Sequence, residues 1–147
     1  MVDLNRQDAV HEAIELLYFG YRAFTEGPDR ILARRGLGRV HHRILYFVGA
    51  SPGLAVKDLL AVLAVSKQAI NAPLRQLLEM QLVAAAPAAG DRRVKRLTLT
   101  DAGRRLETEL TGTQARLLED AFAGAGPGGE AGWRAVMQGL AGAAPAR

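Results

Sequence analysis

Apolar positions recur at two periods along the chain, and the switch between them divides it into parts. Val10, Ile14, Leu17, Tyr21 and Phe24 stand 4, 3, 4 and 3 residues apart, a spacing that lines one face of a helix. This predicts a first helix over about residues 5 to 25, stopped by Gly27-Pro28. A second helix follows from about Arg39 to Val48, with Val40, Ile44, Phe47 and Val48 inward, and the run from Gly49 to Gly53 ends it. A third, short helix runs from about Val56 to Ala64, with Leu59, Leu60 and Leu63 inward. Ser66 then caps a fourth helix. Its apolar stripe is Ile70, Leu74, Leu77 and Leu78, extended by Leu82, and its opposite stripe is Lys67, Asn71 and Arg75, joined by Gln68.

After that helix the period changes. Val94, Arg96 and Thr98 alternate with Lys95, Leu97 and Leu99, so a β-hairpin is expected: Leu82 to Ala86, a turn over Pro87 to Asp91, and a return strand from Arg92 to Leu99. Helical spacing resumes with Thr100 or Asp101 as cap and Leu106, Leu110, Leu117 and Leu118 apolar. A break at Gly124 to Gly129 and a final short helix through Trp133, Val136, Met137 and Leu140 follow, with residues 141–147 frayed. Two short helices joined by a tight turn, the second with a Lys/Gln/Asn/Arg face, form a helix-turn-helix, and the hairpin directly after them is a wing.

One residue disturbs the fourth helix. Pro73 removes an amide hydrogen and crowds the carbonyl of Ala69, at a cost of about 3 kcal/mol. Either the helix begins at Ser66 and kinks near Pro73, or it begins at Asn71 with Pro73 in its tolerant first turn. The apolar stripe keeps its phase from Ile70 through Leu78, which favours the kinked helix.

Charge sharpens this picture more than composition does. A chain of 147 residues, 49% hydrophobic and 23% charged, fits one globular domain and neither bulk disorder nor a membrane span. No run approaches the roughly 18 apolar residues of a spanning helix, and the start of the chain lacks the order of a signal peptide, so a cytoplasmic protein is expected. The net charge is only +4, yet residues 1–29 carry two basic and six acidic groups, residues 30–43 five basic and none acidic, and residues 66–96 six basic and two acidic. A positive middle after a negative start points to a polyanion-binding surface. Arginine outnumbers lysine 16 to 3 beside abundant alanine and glycine, which suggests a GC-rich bacterial genome. Cysteine is absent, excluding disulfides, thiolate metal sites and thiol-based sensing.

Helices, helix-turn-helix, wing and long terminal helix occur in the order that resembles the MarR family of bacterial winged-helix transcriptional regulators, over about residues 5 to 123. The most specific part is the stretch Leu78 to Leu106, "LEMQLVAAAPAAGDRRVKRLTLTDAGRRL". It is similar to the family's pattern of a leucine-rich helix end, a hairpin carrying Asp-Arg-Arg, then Leu-Thr, two or three residues, and Gly. Pro73 departs from that family's helix.

The resemblance implies a mainly α fold with a small β-hairpin, a winged helix-turn-helix with flanking dimerisation helices. It implies one domain over residues 1–147: residues 5–50 are amino-terminal helices partly given to dimerisation, 54–100 the winged helix-turn-helix, and 101–141 the carboxy-terminal dimerisation helices. It further implies a homodimer on double-stranded DNA carrying a pseudo-palindromic operator, and a small-molecule effector between the dimerisation helices and the winged helix. The expected function is a sequence-specific DNA-binding regulator, a repressor that the effector releases. The alternative is a winged-helix protein-interaction module whose basic face docks an acidic partner.

Candidate residues follow from chemistry and position. Lys67, Gln68, Asn71 and Arg75 suit the major groove, because Arg and Lys donate to guanine O6 and N7 while Asn and Gln pair with adenine N6 and N7; Ser66 joins them at the start of the helix. Arg92, Arg93 and Lys95 sit on the wing, as minor-groove or phosphate contacts, and by resemblance Arg93 is the minor-groove arginine. Asp91 cannot favour DNA by its charge and is read as structural, holding an arginine or fixing the turn. Arg30, Arg34, Arg35, Arg39 and Arg43 are candidates for phosphate contacts or intersubunit pairs. His41 and His42 are neighbours, about 100° apart on a helix, and so are a poor metal pair. Structural or ligand-lining roles fit them better, and Tyr21, His42, Arg43 and Tyr46 are candidates to line an effector pocket. There is no G-x-S-x-G, Gly-rich phosphate loop or H-E-x-x-H, so neither enzymatic activity nor a cofactor is expected.

Overall fold

In the computed structural model, which describes residues 4–143, the first helix does not stop at Gly27-Pro28. Helix α1 runs over Leu4–Ala33 with Pro28 inside it. Proline has no N–H to donate to the carbonyl of Phe24, four residues earlier. Gln114 supplies the missing donor: its Nε2 reaches the Phe24 oxygen at 3.3 Å. At Gly27 a Cβ would lie 3.3 Å from the Thr113 hydroxyl oxygen. The pair that reads as a stop is thus where another helix packs against α1.

That other helix is α5 (Asp101–Ala125), and between the two the chain forms α2 (Arg39–Ala50), β1 (Leu54–Ala55), α3 (Val56–Leu63), α4 (Lys67–Glu79), β2 (Val83–Ala88) and β3 (Asp91–Leu99); α6 (Gly129–Gly142) follows. The strands make one antiparallel sheet in the order β1-β3-β2. Strand β1, absent from the sequence reading, pairs only Leu54 with Leu97 and Ala55 with Arg96. The turn is also tighter than expected. Pro87 lies within β2 instead of opening the turn, which an edge strand tolerates because the missing N–H faces away from the ladder. The register shifts beside it, between Pro87 and Ala88. The later break narrows too: α5 continues to Ala125, and Gly126 and Gly128, at φ 78° and 82°, turn the chain into α6. Of the stretch expected to fray, Ala141 and Gly142 close α6, and residues 144–147 lie outside the described residues.

Helix α4 begins at Lys67, with the Ser66 hydroxyl accepting from the Ala69 N–H at 3.2 Å, and crosses Pro73 without a break. A start at Asn71 is therefore excluded. The cap contributes about 1 kcal/mol and full burial of Ile70 about 2 kcal/mol more, together matching the cost of the proline.

The core joins Leu32, Ile44, Leu45, Val48, Leu59, Ile70, Leu74, Leu77, Leu82, Val83, Leu97, Leu99, Leu106 and Leu110. It stops there. Every residue from Leu4 to Ala23 is exposed, as are Leu117, Trp133, Val136 and Leu140. The Phe122 and Trp133 rings meet edge to face at 5.3 Å and tie α6 to α5.

Three helices end in the same way: a left-handed residue, Gly36, Ala64 or Gln81, lets the next N–H reach back to Leu32, Leu60 or Leu77. The last of these aims Leu82 at the start of α5. Thr100 N–H donates to the Leu82 carbonyl at 3.1 Å, the Thr100 hydroxyl donates to the Gln81 carbonyl at 2.6 Å, and the same oxygen accepts from the Gly103 N–H at 3.0 Å. A Cβ on Gly103 would lie 1.9 Å from the Leu82 oxygen. The Thr-x-x-Gly spacing is therefore a cap plus a contact that only glycine permits. Gly103→Ala is expected to destabilise the fold by about 3 kcal/mol or more, and Thr100→Val by about 1–2 kcal/mol, both read as loss of unfolding free energy in urea. A Gly103→Ala protein as stable as the parent would refute this account of the motif.

Candidate nucleic-acid interface

Burial of Ile70, Leu74 and Leu77 forces the other side of α4 outward. Ser66, Lys67, Gln68, Asn71 and Arg75 are all exposed, forming a polar strip that the described residues leave open to solvent. The Ser66 hydroxyl oxygen accepts the Ala69 N–H as the cap of α4. On the wing, Arg92, Arg93 and Lys95 are exposed. Asp91 accepts from the Arg93 N–H at 3.0 Å and lies 3.3 Å from its Nε, while the Arg93 side chain remains 91% exposed. A carboxylate thus orients an arginine that still points into solvent. Sequence reasoning missed Arg96, which donates to the Gly53 carbonyl at 3.0 Å and pins the wing to the loop before β1.

The basic tract divides. Arg39 is committed to α1: its Nε and terminal nitrogen bind both oxygens of Asp29, with N–O distances of 2.9–3.2 Å, and it reaches the Thr25 hydroxyl at 3.2 Å. Arg30 pairs with Glu26 one turn away. Arg34 and Arg35 are exposed where α1 gives way to α2, and Arg43 is exposed with a terminal nitrogen 3.5 Å from the Tyr21 hydroxyl.

Tyr21, His42, Arg43 and Tyr46 come together on one cavity of about 410 Å³ between α1, α2 and α5. Phe24, Pro28, Phe47, Ala115 and Leu118 form its apolar wall. His42 Nε2 lies 3.3 Å from the Thr111 hydroxyl, which donates to Glu107 at 2.7 Å, so the imidazole is the donor in this chain. Burial lowers the pKa of His42 below its ordinary value, against a smaller opposing pull from Glu107 and Asp29. His41 faces elsewhere, toward Gln76 of α4. The adjacent histidines serve different partners, and among the described residues no group of three His, Asp or Glu is placed to hold a metal ion. No helix is long and apolar enough to cross a membrane among those residues.

Comparison with known proteins agrees with this architecture. A model of the MarR family matches residues 35–94. The HTH-type transcriptional regulator PetP of Rhodobacter capsulatus is 40% identical over 133 residues, 90% of this chain and 80% of that protein. Among solved structures, the MarR family transcription regulator SP03579 superposes with a TM-score of 0.79 at 20% identity, covering 93% of this chain and 91% of that one. A MepR–DNA complex from S. aureus gives 0.72 at 17% identity, with 88% and 96% covered. PcaV of Streptomyces coelicolor with its natural ligand gives 0.67 at 21% identity, with 99% of both chains covered. The polar strip on a helix-turn-helix, the Asp-Arg-Arg wing and the likeness to PetP along nearly the whole chain lead to one assignment: this protein belongs to the MarR family of HTH-type transcriptional regulators.

Proposed function

We propose that the protein is a homodimeric, sequence-specific DNA-binding repressor that acts in the cytoplasm and is released from its operator by a small molecule held in the cavity between α1, α2 and α5. The observation that carries the DNA reading is the outward strip of Ser66, Lys67, Gln68, Asn71 and Arg75 on a helix anchored by buried leucine and isoleucine. Such side chains read base edges, while Arg92, Arg93 and Lys95 on the wing meet the minor groove or phosphates. The same fold on DNA in MepR supports this reading.

The dimer rests on exposed surface. The single chain exposes 10326 Å², against about 7,300 Å² for a compact monomer of its mass. The difference is on the scale that an obligate dimer removes. It lies where the apolar side chains are: Val10, Ile14, Leu16, Leu17, Tyr18, Phe19 and Tyr21 of α1 are each 41–62% exposed, and Trp133, Val136 and Leu140 of α6 are 40–64% exposed. A helix apolar on more than one face requires burial. We accordingly read residues 1–147 as one domain, with the amino-terminal helices of residues 5–50 serving dimerisation in part and residues 101–141 serving it too, around a winged helix-turn-helix at 54–100.

The cavity supports an effector role because it joins an apolar wall to Arg43, His42 and two tyrosines, and its volume is that of a small-ligand site. A ligand that binds the DNA-competent and incompetent arrangements unequally shifts the balance between them. PcaV, which shares the fold, holds a natural ligand.

Electrophoretic mobility shifts with DNA flanking the protein's own gene test the central reading. With about six phosphates contacted, affinity should fall about a thousandfold between 50 and 200 mM salt. A salt-insensitive complex, or none, would favour docking of an acidic protein partner. Ile14→Glu combined with Leu17→Glu should convert a dimer of twice 15.8 kDa into a monomer in sedimentation equilibrium and abolish operator binding; a variant that stays dimeric would remove α1 from the interface. The pH dependence of stability tests the burial of His42. Its folded-state pKa lies below the ordinary 6.5, so the unfolded chain takes up the proton first. The thermal midpoint should hold above about pH 6.5 and fall as acidification passes through the folded-state pKa. His42→Gln should make that acid slope shallower, and an unchanged slope would assign it to other groups.

A further inference from the structure

The first turn of α2 faces two ways. Arg39, His42 and Arg43 line the cavity, whereas His41 is buried at 8% exposure and turned toward α4. The Gly38 N–H donates to His41 Nδ1 at 2.9 Å. An N–H only donates, so Nδ1 is the bare acceptor and Nε2 carries the hydrogen. That nitrogen lies 2.9 Å from Gln76 Oε1, and the Gln76 amide nitrogen donates to the Gly36 carbonyl at 3.3 Å. The glutamine amide is thereby held at both ends, by α2 and by the turn between α1 and α2.

Gln76 follows Arg75 and stands between the buried Leu74 and Leu77. Those leucines hold α4 against the core, yet apolar contact has no preferred direction and tolerates a small rotation of the helix. A hydrogen bond at 2.9 Å is directional and does not. We infer that His41 and Gln76 are positioning residues that set the rotation of α4 about its own axis and so aim Lys67, Gln68, Asn71 and Arg75 at the bases. The inference rests on the DNA-reading role proposed above. The leverage is ample: at a side-chain radius of about 6 Å, a 10° roll moves a tip by about 1 Å, enough to spoil a bidentate contact to a base edge. Phosphate contacts by long, flexible side chains follow such a shift with little loss.

The test uses the full chain, a duplex selected by the parent protein from a random-sequence library, and a scrambled duplex of equal length. His41→Asn places Oδ1 to accept from the Gly38 N–H but is too short to reach Gln76. Gln76→Met keeps the length of the side chain and loses both hydrogen bonds. Each is expected to lower the ratio of selected to scrambled affinity about tenfold. Affinity for the scrambled duplex and the salt slope should stay at the parent values, with each variant melting as one cooperative unit. The double variant should be no worse than either single one, because both remove the same link. Gln76 is only half-buried, so Gln76→Met carries the test alone if His41→Asn does not fold. An unchanged ratio, a proportional loss on both duplexes or additive losses in the double variant would overturn the inference. Selection of no sequence by the parent would overturn the DNA-reading role itself, and the inference with it.

Discussion

The oxygen of Leu82 sits so close to Gly103 that a single methyl group there would lie inside it, and the winged helix is assembled around that contact. Three elements meet at the point. The left-handed Gln81 ends α4 and turns the chain toward β2, and the Thr100 cap starts α5 on the carbonyls that this turn presents. Leu82, Leu97, Leu99 and Leu106 are buried around it. Moving α5 away to admit a side chain would displace the strand that carries the wing and the helix that carries the polar strip. The spacing of the wing and the polar strip therefore depends on this backbone contact between Leu82 and Gly103.

Above that core the chain is left open. The buried cluster ends at Leu110 on α5, while α1 presents apolar residues on more than one face along its first five turns. In the homodimer we propose, these uncovered apolar arms are the surface that a second copy covers. The cavity lies between the two regimes, where α1 and α5 leave the shared core. Its border is polar: Arg39 with Asp29, His42 with Thr111 and Glu107, and Gln114 with the carbonyl freed by Pro28. Directional bonds at that border tie α1, α2 and α5 to one another around the cavity.

Polar links of this kind recur. His41 and Gln76 join α2 to α4 as Arg39 and Asp29 join α2 to α1. The leucines supply most of the cohesion, roughly 2 kcal/mol for each fully buried side chain, and they specify orientation poorly. A few hydrogen bonds at the margins of the core give the packing of α2 against α1 and α4 a direction.

Periodicity along the chain was enough to reveal the helices, the hairpin and the outward strip of α4, because one buried face imposes a spacing of 3.6 or 2 that survives in any local window. The Asp-Arg-Arg and Thr-x-x-Gly spacings were equally legible, since each is a contact within a few residues. What escaped was everything decided by a distant partner. Gly27-Pro28 reads as a stop until Gln114 replaces the lost donor, and Pro73 reads as an uncertain start until burial of Ile70 and the Ser66 cap hold the first turn. Pro87 reads as a turn until the sheet order puts it on an edge. Gln76 showed no signal, because a polar residue on the flank of an amphipathic helix looks solvated until His41, 35 residues away, is brought beside it. Local spacing determined which elements form and which faces they bury; the tertiary structure alone decided where helices tolerate a proline and which polar side chains hold them in place, because those energies belong to contacts between residues far apart in sequence.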